Sequence, residues 1–170
     1  MAPLVRRGWR PRTCPAVLRQ RTRAHQKVSV IAALCVAPGR DALRMYFRLQ
    51  PNANVNSGVV ISFVRVLRKQ LGGPFILVWD GLQAHRSRLT LGFLEEQEGI
   101  HVEPLPPYAP ELNPVEYAWS YLKMNPLANL AAPELDVLAD SARQAARSVQ
   151  RKPHLLRSFV THSPLSLRLR

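Results

Sequence analysis

"PFILVWDG", residues 74–81, sets an unbroken apolar run, Phe75 to Trp79, between a Gly72-Gly73-Pro74 breaker and an Asp80-Gly81 turn. The run is too short for an ordinary helix and is rich in β-branched and aromatic residues. It reads as a central β-strand buried on both faces, with an acid at its carboxyl end. A strand of that kind needs crossover neighbours, so the flanking segments decide the architecture.

Upstream lies "SGVVISFVRVLRKQL" (57–71), where Val60, Phe63, Val64, Leu67 and Leu71 follow the helical period. Asn56 is its N-cap and Gly72-Gly73 its stop. Further upstream, "KVSVIAALCV" (27–36) and "LRMYFRLQ" (43–50) flank the turn-forming "APGRD" and read as an antiparallel hairpin. Downstream, a helix over 87–98 ends at Gly99, "IHVEPL" (100–105) is a short strand, and a proline-rich segment leads into a helix from Pro114. Val115, Trp119 and Leu122 of that helix are core candidates. A further helix is expected over 133–150, with Leu135, Leu138, Ala142, Ala145 and Val149 on one stripe; the tail after Pro153 reads as weakly helical. Strands alternating with helices predict a mixed α/β sheet flanked by helices.

The chain has 170 residues, enough for one domain, and a formal net charge of +13. The charge is uneven: residues 1–27 carry eight Lys or Arg and no acid, residues 141–170 carry seven and no acid, and the interval holds nine bases with all 11 acids. Basic flanks around a mildly acidic body suit a polyanionic partner, although solvated tails from an arginine-rich genome would look the same. The organisation reads as a basic extension (1–26), a core (27–125) and a helical basic extension (126–170). Cys14 and Cys35 form no CxxC and there is no histidine cluster, which argues against a zinc site and for a reducing cytoplasm. The longest apolar run, "VSVIAALCVA" (28–37), is too short to span a bilayer, and no apolar segment follows "MAPLVRRGWRPR" as a secretion signal would require.

Two carboxylates stand out. Asp80 ends the central strand, where α/β sheets gather their ligands; the plain alternative is a turn residue in an Asp-Gly pair. Glu116 lies in "LPPYAPELNPVEYAWSYLK" (105–123). Asn113 at N-cap, Pro114 at N1 and Glu116 at N3 also match a capping box. Hard divalent cations take carboxylate oxygens and assist phosphodiester cleavage. Two acids facing DNA without a cation would only repel it.

"FILVWDGLQAHRS" followed by "PPYAPELNPVE" resembles the catalytic domain of DDE transposases of the mariner-like superfamily, in the bacterial insertion-sequence branch. "KVSVIAAL" and "YFRLQPNANVN" extend the resemblance over most of the chain. It implies a ribonuclease H-like fold, Asp80 and Glu116 as the second and third metal-binding acids, Mg²⁺ or Mn²⁺ as cofactor, and double-stranded transposon-end DNA as partner. On this view Pro106, Pro107 and Pro110 stiffen the approach to Glu116. The resemblance also places His85 near the scissile phosphate; its plain alternative is a loop histidine.

One departure matters. The family's first aspartate lies on a strand preceding the one that "KVSVIAAL" matches, and here no acid precedes Asp41. The expectation is a truncated transposase with its first strand missing or incomplete, inactive alone and prone to self-association or to pairing with an upstream fragment. Arg65, Arg68, Lys69, Arg86 and Lys123 are candidate DNA contacts, against the commoner outcome of solvated helix faces. Lys123 stands about 10 Å along the helix from Glu116, too far for direct pairing. Two readings follow: a metal-dependent enzyme of DNA transposition and recombination, or a non-catalytic DNA-binding remnant that interferes with an intact enzyme.

Overall fold

A computed structural model of the chain describes residues 27–130, 132–165 and 169. The expected basic extension over 1–26 lies outside them. The hairpin forms as β1 (Val28–Val36) and β2 (Leu43–Pro51), antiparallel with Val28 opposite Pro51 and Val36 opposite Leu43. Helix α1 (Ser57–Leu71) starts with Asn56 Oδ1 accepting the Val59 N–H at 3.0 Å. It stops at Gly72, whose left-handed φ of 70° suits a residue without Cβ. Then come β3 (Phe75–Trp79), α2 (Arg88–Glu95), β4 (Ile100–Pro104), α3 (Pro114–Met124), α4 (Leu135–Gln150) and α5 (Pro153–His162).

The strands form two separate pairs among the described residues, not one continuous sheet: antiparallel β1–β2 and parallel β3–β4. Both rest on α1. Ile31 of β1, Leu77 and Trp79 of β3, and Ile100 and Val102 of β4 pack with Val60, Ile61 and Val64 of α1 and with Phe93 and Leu94 of α2. Arg48 of β2 also donates to Ser62 Oγ of α1 at 2.7 Å. The opposite face of the hairpin takes the second core. There Ala32, Leu34, Phe47 and Leu49 meet Ala118 and Leu122 of α3, Ala142, Ala145 and Val149 of α4, and Leu156 and Phe159 of α5. The hairpin is thus the middle layer of an α/β/α arrangement.

This layering corrects the expectation for β3. Its inward residues alternate with Ile76 and Val78, which are 65% and 47% exposed. Helices α3, α4 and α5 lie over the hairpin and leave that face of β3 uncovered, so the strand is buried on one face only. The tail after Pro153 is likewise more ordered than expected. Proline at N1 opens α5, and Leu156, Phe159 and Val160 are buried.

Candidate active site at the carboxyl end of the parallel strands

Asp80 follows β3 directly. Its Oδ1 accepts the Leu82 backbone N–H at 3.1 Å, so the Asp-Gly turn does form. The same oxygen lies 3.0 Å from His85 Nδ1, which is also 3.2 Å from the Asp80 carbonyl oxygen. The His85 ring stacks on Trp79 with centroids 4.4 Å apart and planes 4° from parallel. The hydrogen bond from His85, helped by the Leu82 N–H and opposed by partial burial, holds the Asp80 carboxyl below its usual range.

The turn is fastened from beneath. Buried Thr90 donates through Oγ1 to the Ala84 carbonyl at 2.7 Å and accepts from Ser87 Oγ at 3.0 Å. Ser57, at the start of α1, donates to Ser87 Oγ at 2.7 Å. Residues 80–87 are therefore tied to both helices beneath the parallel pair.

Glu116 arrives by the proline segment. The Leu105 N–H donates to the Trp79 carbonyl at 2.8 Å, pinning the segment's start to the end of β3. A 3-10 turn over Pro110–Leu112 precedes α3, and Ser163 beyond α5 donates to the Leu112 carbonyl at 3.1 Å. The capping box forms only in half. Asn113 Oδ1 accepts the Val115 N–H at 3.1 Å, but the Asn113 N–H is taken by the Pro110 carbonyl at 3.0 Å. Glu116 is half-buried in the first turn, and its carboxylate has no hydrogen-bond or ion-pair partner among the described residues.

The basic candidates divide by position. Arg86 is exposed and its guanidinium lies over Gly81, the residue that follows Asp80. Arg65 packs its cation 5.1 Å from the centre of the Phe93 ring, and Arg68 bonds Gln97, so both brace α1 against the α2 end. Arg68 and Lys69 sit in the last turn of α1, which leads into the start of β3, away from Asp80. Lys123 is in the last turn of α3, at the far end from Glu116. The structure thus gathers Trp79, Asp80, His85 and Arg86 and leaves Arg68, Lys69 and Lys123 apart from them. The part Trp79 plays here is not legible in the sequence, because ring stacking across the five residues that separate it from His85 leaves no periodic signal. Burial pushes the Cys35 thiol up to about 11, away from the thiolate.

Residues 2–139 match the model of a family described as DDE superfamily endonuclease. The chain belongs to that family. In solved structures, this DDE domain is similar to the Mos1 mariner paired-end complex with Mn, at 17% identity and a TM-score of 0.67 over 95% of the chain and 48% of that one. It is also similar to the Mos1 paired-end complex with left transposon end, at 17% identity and TM-score 0.59, over 98% and 52%. The Mos1 strand transfer complex matches at 18% identity and TM-score 0.55, over 96% and 52%. The chain spans about half the length of these proteins, and the likeness establishes a ribonuclease H-like α/β fold. No curated protein matches it in sequence.

The donors of the DDE domain fit a hard divalent cation in kind. Among the described residues neither Asp80 Oδ2 nor the Glu116 carboxylate has a bonding partner. No group of three or more His, Cys, Asp or Glu suited to a metal occurs among the described residues. Two carboxylates still suffice for Mg²⁺, which commonly keeps several waters and borrows phosphate oxygens from its substrate.

Proposed function

We propose that this DDE domain acts on double-stranded transposon-end DNA, contributing Asp80 and Glu116 to a metal-dependent site for strand cleavage and transfer. The observation that carries the reading is a pair of carboxylate donors with no partner among the described residues: Oδ2 of Asp80 beside a fixed Oδ1, and Glu116 outside its capping box. A bound Mg²⁺ or Mn²⁺ would supply activation of the attacking oxygen and stabilisation of the leaving one. Asp80 and Glu116 would hold that ion. Arg86 at the rim takes a DNA phosphate, and the proline segment fixes the direction from which α3 presents Glu116.

No acid precedes Asp41 in these 170 residues. The same reading takes a third carboxylate from outside the described residues, on this polypeptide or another, and follows the motif resemblance to the bacterial insertion-sequence branch. Self-association and pairing with a fragment that carries the first strand belong to the same reading. The division into a catalytic core over 27–125 and a helical basic extension over 126–170 belongs to the same reading, with α4 and α5 of the extension packed on the hairpin of the core.

The test is nicking of supercoiled plasmid with Mn²⁺, beside Asp80→Ala and Glu116→Ala. Nicking lost in both variants supports the paired role, and nicking that survives either substitution sinks it. DNA binding with no nicking in all three favours the second reading, a DNA-binding domain without chemistry of its own. The absence of any three-residue metal cluster among the described residues is what favours that reading.

A further inference from the structure

We propose that His85 is a positioning residue, locked as its Nδ1–H tautomer between Trp79 and Asp80, that holds Oδ1 of Asp80 and presents Oδ2 alone to a divalent cation. The inference rests on the reading of Asp80 as a metal-binding acid and deepens it.

Three observations carry it independently. First, both oxygens facing His85 Nδ1, the Asp80 carbonyl at 3.2 Å and carboxylate Oδ1 at 3.0 Å, are acceptors only. A nitrogen placed between two acceptors must carry the hydrogen, which fixes the tautomer of the neutral ring. Second, the ring lies flat on Trp79, and the His85 side chain is 13% exposed, so it cannot flip without losing the stack. Third, the backbone on either side is held: the His85 N–H donates to the Leu82 carbonyl at 2.8 Å, and buried Thr90 bonds Ala84.

The consequence falls on Asp80. Its Oδ1 receives two donors, from Leu82 and His85, and its Oδ2 receives none among the described residues. The Asp80 side chain is 48% exposed. Without the His85 bond, one N–H would still tether Oδ1, but the carboxylate could rotate about its last bond. An ion would then have to order it on binding, which lowers affinity.

The experiment measures Mn²⁺ binding to the 170-residue chain from the free-ion electron paramagnetic resonance signal, with Asp80→Ala defining the share due to this site. His85→Phe keeps a flat ring on Trp79 and removes the donor; its affinity should fall about 10- to 100-fold, the usual effect of losing a group that orients a metal ligand. His85→Asn, with an amide N–H near the δ position, should recover most of the loss. Affinity unchanged in His85→Phe overturns the proposal. So does a ¹⁵N NMR spectrum of the unaltered protein that shows the Nε2–H tautomer of His85, a readout that needs neither metal nor variant. If Asp80→Ala leaves Mn²⁺ binding unaltered, the assignment of Asp80 itself fails, and this inference fails with it.

Discussion

At Asp80 the environment decides which protonation state the fold tolerates. The hydrogen bond from His85 and the Leu82 N–H favour the carboxylate, while partial burial opposes it. Because the folded-state value is depressed, the unfolded chain takes up the proton first as pH falls. The stabilisation is therefore present above about pH 3.9, the unfolded value, and is lost as pH falls through the lower folded one. In thermal melts the unaltered protein should exceed Asp80→Asn in midpoint at pH 6, with the gap closing below about pH 4. A gap that stays constant down to pH 2.5 would show that the ionised carboxylate is not what His85 holds. The position of Asp80 was legible, since an apolar run ending in an acid marks a strand end. The clamp around it was not: Trp79, Asp80 and His85 meet through a turn whose shape depends on Ser57, Ser87 and Thr90, spread over two helices.

Helix α3 shows how an element can be read correctly and its reason misread. Asn113, Pro114 and Glu116 mark a helix start in sequence, and α3 begins there. The reciprocal half of the box is absent because the preceding 3-10 turn has already taken the Asn113 N–H. Two substitutions separate the roles. Asn113→Ala removes the side-chain cap on Val115 and should cost about 1 kcal/mol in urea unfolding. Glu116→Gln removes only a favourable charge near the helix N-terminus and should stay within about 0.5 kcal/mol. Equal losses would mean that Glu116 does serve the cap, and its carboxylate would then not be free for a metal. In α5 the opposite misreading occurred. The tail after Pro153 reads as weakly helical, whereas proline is favoured at the first helical position, and Leu156, Phe159 and Val160 carry a spacing that fits a buried helix face. Ser163, just past α5, holds the Leu112 carbonyl, so this helix supports the approach to Glu116.

Across the whole molecule, the α/β class was legible from the alternation of elements, and the division of the strands was not. Nothing in "FILVW" announces that α3, α4 and α5 will cover the hairpin and leave Ile76 and Val78 bare, because helix placement is set by long-range packing. The same layering assigns the two ends of the parallel pair different electrostatic surroundings. Arg86 lies over Gly81, the residue after Asp80, whereas Lys69 is at the C-terminal end of α1, one strand length or about 16 Å away along β3. If DNA enters at the Asp80 end, the two bases are unequal partners for phosphate. Each neutralised phosphate contributes roughly −0.9 to the slope of log affinity against log salt. Arg86→Ala should therefore weaken binding to duplex DNA and make the slope shallower by about one phosphate. Lys69→Ala should leave slope and affinity close to those of the unaltered protein. A salt titration in which Lys69→Ala flattens the slope and Arg86→Ala does not would place the DNA at the opposite end of the strands. Asp80 and Glu116 would then have no phosphodiester to act on.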